Sequence, residues 1–121
     1  MNLSIAANEL YVADYWNDRI AVFALDGTFL RTVGQSGNGP GEFNSPGGVA
    51  VAPNGDLYVV DFYNNRIQKF APDGAFLTAF GEQGSGPGKF DKAIAVAVAG
   101  DGTVFVADYG NHRVQKWRTI Q

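Results

Sequence analysis

The chain has 121 residues, sets 9 Lys and Arg against 12 Asp and Glu for a formal charge of −3, and is 45% hydrophobic with 16 glycines. That apolar share excludes a disordered chain, which lacks the surface to bury. The absence of cysteine excludes disulfides, thiolate metal sites and thiol chemistry.

The apolar runs are too short for a membrane-spanning helix. No basic segment followed by an apolar stretch reads as a signal peptide, and the sequence gives no address for the protein. The acidic balance disfavours a nucleic-acid partner, whose phosphates need cationic contacts.

Shifted by 47 positions, the sequence falls on itself. Tyr11, Tyr58 and Phe105 align, as do Asp14, Asp61 and Asp108, then Asn17, Asn64 and Asn111, then Arg19, Arg66 and Arg113. The loop Gly34–Phe43 returns as Gly81–Phe90. Segments Tyr11–Phe43 and Tyr58–Phe90 share 18 identities in 33 ungapped pairs. The chain therefore holds about 2.6 copies of one unit, with copies over 3–43, 44–90 and 91–121. The third copy stops before its fourth segment, so the array reads as open at both ends.

Within the second copy the predicted elements follow in order. Gly48–Ala52 is closed by Pro53-Asn54-Gly55, and Asp56–Asp61 by Tyr63-Asn64-Asn65. Arg66–Ala71 is closed by Pro72-Asp73-Gly74, and Ala75–Phe80 runs into the Gly/Pro loop. Short β-branched and aromatic runs bounded by such turns read as antiparallel strands joined by hairpins. No segment carries a convincing helical period, so the fold class is all-β. Four hairpin-linked strands per repeat of this length form the unit of a β-propeller blade, which needs sister blades beside it. Small residues in Val49–Ala52 and Val96–Ala99 suit the innermost strand. Phe76, Leu77 and Phe80 are expected on the fourth, outer strand, where the wedge between blades widens.

The strand–turn–strand segments YVADYWNDRI, YVVDFYNNRI and FVADYGNHRV, with the GxGPGxF loop, resemble the NHL repeat. Asn111-His112 matches the first two residues of the Asn-His-Leu name. The resemblance implies six blades of four strands. It also implies a choice among protein scaffolds, RNA binders, sensor domains and metal-dependent propeller enzymes, which fold alone does not make.

The repeated pairs Asp14–Arg19, Asp61–Arg66 and Asp108–Arg113 read as structural pins across each hairpin, since a catalytic site does not need the same pair in every blade. The Gly/Pro loops do not lead into helices and read as crossovers between blades rather than phosphate cradles. His112 is the lone histidine and reads as an exposed turn residue. The inner strands offer Ala, Val and Gly where a buried cation wants many oxygens, so neither a cofactor nor a metal centre is expected and an enzyme is disfavoured. The binding candidates are the turn aromatics Tyr15, Trp16, Phe62, Tyr63 and Tyr109, because aromatics are enriched at interfaces. The expected partner is a second copy completing six blades by two-fold symmetry, or other subunits of a complex; a fragment or engineered piece of a larger propeller is a further reading of the incomplete ring. A fragment of a metal-dependent lyase or hydrolase is the alternative. An RNA-binding domain using Arg66, Lys69, Arg113, Lys116 and Arg118 is a weaker one.

Overall fold

A computed structural model describes residues 2–118. The first sheet runs β1 (Leu3–Ala6), β2 (Glu9–Asp14), β3 (Arg19–Ala24) and β4 (Phe29–Val33), every neighbour antiparallel. A crossover follows, containing β5 (Gln35–Ser36) and β6 (Glu42–Phe43). The second sheet is β7 (Pro46–Val51), β8 (Leu57–Asp61), β9 (Arg66–Phe70) and β10 (Phe76–Phe80). The third is β11 (Ala93–Val98), β12 (Val104–Asp108) and β13 (Arg113–Trp117), with three strands among the described residues. The fold is thus all-β, a partial propeller of antiparallel blades, with two single 3-10 turns at Tyr15–Asn17 and Tyr109–Asn111.

The radial order follows from which strands meet. β7 packs against both β1 and β11, so the first strand of each sheet lies innermost. Successive side chains alternate between the two faces of a strand, and each face of the second sheet meets a different neighbour. Val49, Leu57, Val59 and Phe70 pack with Tyr11, Ile20 and Val22 of the first sheet. Ala50, Tyr58, Val60 and Ile67 pack with Val96, Val104 and Val106 of the third. Both clusters are contiguous apolar cores between blades, and their burial drives the stacking.

Phe76, Leu77 and Phe80 lie on β10 as expected, but they fill the wedge unevenly. Leu77 is exposed, like Phe29 and Leu30 of β4, whereas Phe76, 38% exposed, meets the buried Phe70 edge-on at 6.0 Å. Phe80 lies 4.9 Å from the Trp117 ring. The depth of the wedge is filled by Phe43 and Phe90, both fully buried at the ends of the Gly/Pro loops. Phe43 sits 5.6 Å from Phe70, and Phe90 sits 5.1 Å from Trp117. The crossover delivers these rings because β5 and β6 pair in parallel, and Gln83 bridges Phe90 in the same way. Gly34 and Gly81 make the approach possible. A Cβ there would lie 2.1 Å from the Phe43 ring or 2.3 Å from the Phe90 ring, at φ of +88° and +101°.

Candidate interaction surface

At the β8–β9 hairpin the strands run out at Asp61 and resume at Arg66, which stand directly opposite each other in the ladder. Arg66 Nε donates to Asp61 Oδ2 at 2.7 Å, and Asn64 Nδ2 donates to the same oxygen at 2.9 Å. The Asn44 backbone N–H donates to Asp61 Oδ1 at 2.8 Å, and Gln68 Nε2 to Oδ2 at 3.1 Å. The carboxylate is completely buried. A buried charge is tolerable when its oxygens are this fully bonded.

The same groups hold the crossover. The two terminal nitrogens of Arg66 donate to the carbonyls of Asn38, Gly39 and Glu42, at 3.1, 2.8 and 2.8 Å. Gln68 donates to the Glu42 carbonyl and accepts from the Gly41 N–H. The third blade repeats the arrangement: Arg113 binds Asp108 and the carbonyls of Ser85, Gly86 and Lys89, while Gln115 reaches Lys89 and Gly88. Burial pushes the Asp108 carboxyl up, but the bonds from Asn111, the Asp91 N–H, Arg113 and Gln115 outweigh it and leave its pKa below the ordinary value. The pairs therefore do more than pin a hairpin. In the second and third blades each clamps the incoming loop of the preceding blade.

Blade one differs. Arg19 Nε reaches Asp14 at 2.9 Å and Asn17 joins it, yet no crossover loop rests on Arg19 among the described residues. Ala21 stands where the other blades place Gln68 and Gln115. These glutamines were missed by sequence reasoning, although their 47-residue spacing was visible. Their role depends on a loop from another blade, which strand periodicity does not reveal.

The turn aromatics divide into two groups. Tyr15 meets Trp16 edge-on at 5.1 Å, and Phe62 meets Tyr63 edge-on at 4.8 Å. The two pairs join across the gap between blades, Tyr15 lying 6.2 Å from Phe62 and 6.5 Å from Tyr63. The neighbouring Tyr63 hydroxyl, followed by burial, holds the Tyr15 phenol above its ordinary pKa. The result is one ridge, crested by Trp16 at 82% and Tyr63 at 56% exposure. Tyr109 is exposed too, but pairs with no aromatic ring among the described residues. Gly110 replaces the second aromatic there, and a Cβ would lie 2.5 Å from the Asp91 carbonyl oxygen. His112 closes the adjacent turn, exposed at φ 55°.

On the opposite rim, a cleft of about 190 Å³ separates the second and third sheets, lined in part by Asn54, Tyr58, Lys69 and Asp101. Lys69 Nζ lies 3.6 Å from Asp56 and 5.6 Å from the centre of the Tyr58 ring. The first sheet's counterpart is a fork in which Arg31 grips both oxygens of Glu9, and the Tyr11 hydroxyl donates to Glu9. The bond from Arg31 lowers the Glu9 pKa against a smaller effect of burial. Thus Arg66, Lys69 and Arg113 of the basic set are all engaged with acids or carbonyls. No group of three or more His, Cys, Asp or Glu able to hold a metal occurs among the described residues. No helix among them is long and apolar enough to cross a membrane.

The NHL repeat family model matches residues 43–70 and 90–117, the two stretches that begin at a plug phenylalanine and end on the third strand of a blade. No curated protein matches the chain. Among solved structures, a streptogramin B lyase superposes with TM-score 0.70 at 16% identity, over 98% of this chain and 40% of that one. A virginiamycin B lyase from Staphylococcus aureus gives 0.68 at 16% identity, over 98% and 41%. An auxiliary nutrient binding protein from Bacteroides thetaiotaomicron gives 0.69 at 18% identity, over 94% and 36%. The chain thus spans about two fifths or less of the length of these structures.

Proposed function

We propose, for a chain that carries NHL repeats and folds into propeller blades, a non-enzymatic role as an interaction scaffold. It associates with a second copy through blade stacking and presents the aromatic ridge to a protein partner. The carrying observation is the state of the terminal sheet. Phe105 and Val114 are 37% and 67% exposed, whereas Tyr58 and Ile67, their counterparts one repeat earlier, are 2% and 0% exposed. A face of this composition, left bare, is an interaction surface.

The test is the mass of the purified chain by light scattering over a range of concentrations. Twice the 12.9 kDa of one chain is the expected result. A monodisperse particle of single-chain mass overturns self-association. The ridge is tested separately by replacing Trp16 and Tyr63 with Ala. The double variant is expected to keep fold and mass while losing partner binding. Unfolding instead would make these packing residues.

The second reading is a metal-dependent propeller lyase, favoured by the lyases among the solved structures of this fold. Elemental analysis of the purified protein separates the two, since stoichiometric bound metal supports the enzyme.

A further inference from the structure

Resting on the reading that the chain self-associates, we infer that the two copies join head to tail: the open face of the third sheet receives the open face of the partner's first sheet. Within the chain every blade contact is of one kind. The face of a sheet carrying Leu57, Val59 and Phe70 meets the preceding blade, and the face carrying Tyr58, Val60 and Ile67 meets the following one.

Among the described residues each end of the stack leaves one of these faces open, and they are opposite faces. The first sheet exposes the preceding-blade face. Leu10, Val12 and Phe23 stand there, one repeat before Leu57, Val59 and Phe70. Leu3 and Ile5 extend it along β1, and are 57% and 64% exposed. Leu3 pairs with Val12 just as Val49 pairs with Val59, which places it on this same face. The third sheet exposes the following-blade face. Phe105, Ala107 and Val114 stand one repeat after Tyr58, Val60 and Ile67, and with Ala95 and Ala97 they line an apolar groove of about 230 Å³. A second copy therefore brings to each open face the chemistry that already covers its equivalent inside the chain.

Geometry selects the same arrangement. The internal contact always turns the next blade in one direction about the axis. A contact of unlike faces continues that rotation, and two copies related by a two-fold axis make it twice and close. A contact between like faces reverses the rotation and leaves the other pair bare. The new joint differs from the internal ones in one respect. Ala21 occupies the clamp position, and no loop phenylalanine lies over that face among the described residues. The joint between copies is thus made by sheet faces alone.

The experiment uses two variants, each altered on one open face at an exposed residue: Leu3→Asp and Val114→Asp, with circular dichroism to confirm that both fold. Each alone is expected to sediment as a single chain, because every joint of its homodimer meets an aspartate. An equimolar mixture is expected to regain the dimer, because one joint of the mixed pair joins two unaltered faces. Loss of the dimer in only one variant would indicate contact between like faces, overturning the head-to-tail arrangement while self-association stands. A mixture that remains single-chain also overturns the arrangement. A wild-type chain of single mass overturns both.

Discussion

The Asp61–Arg66 and Asp14–Arg19 hairpins are built from the same residues at the same spacing, yet their surroundings differ. Asp61 is wholly buried, and Arg66 spends its remaining donors on three carbonyls of the crossover. Asp14 keeps 25% of its side-chain surface and Arg19 keeps 42%. What separates them is the loop arriving from a preceding blade and the glutamine that helps grip it. The comparison teaches that a repeated motif has no fixed energetic value: its contribution comes from the neighbour it holds.

The largest test of that contrast is to remove the acid from each hairpin. Asp61→Ala takes the shared acceptor from a guanidinium, two side-chain amides and a backbone N–H at a buried site, and is expected to cost about 3–5 kcal/mol. Asp14→Ala removes a half-exposed pair and should cost about 1 kcal/mol or less. Urea unfolding of both variants measures the difference, and equal losses would refute it. Close behind comes the plug: Phe90→Ala opens a cavity beside Trp117 and should cost about 3–5 kcal/mol. Trp16→Ala, on the exposed ridge, should stay within about 0.5 kcal/mol.

Gln68→Ala leaves the Gly41 N–H without its acceptor and takes one of two donors from the Glu42 carbonyl, and is expected to cost about 1–3 kcal/mol. The reverse change at the equivalent place, Ala21→Gln, should be neutral within about 0.5 kcal/mol, since no loop waits to be gripped there. The smallest effect is acid sensitivity. Asp108 and Glu9 both have folded pKa values below their ordinary 3.8 and 4.5. Their contribution is present above those ordinary values and is lost as pH falls through the lower folded values. Stability should therefore be flat near neutrality and decline below about pH 4. Asp108→Asn should flatten that decline in thermal melts taken across the acid range.

Much of the architecture was legible because it is local. Asp-Gly and Asn-Gly turns, five-residue apolar runs and the 47-residue period define strands and blades without any knowledge of their neighbours. The strand limits moved by only a residue or two, with Gly48–Ala52 becoming Pro46–Val51 and Ala75–Phe80 becoming Phe76–Phe80. The failures arose where a residue's role lies between blades. Phe43 and Phe90 look like loop residues in sequence, yet are wholly buried between blades. Gln68 and Gln115 look like strand residues on a polar face, yet clamp a loop. The aromatic turn positions were visible as a set. That four of them join into one ridge and Tyr109 stands apart follows from Gly110, whose missing side chain breaks the series.

The parallel pairing of β5 with β6 carries a consequence for how neighbouring blades are fastened. The stitch returns Phe43 to Gly34 at the end of the sheet it has just left, while the same ring meets Phe70 of the next sheet. One side chain thus acts as a rivet through two blades, and its loss loosens both at once.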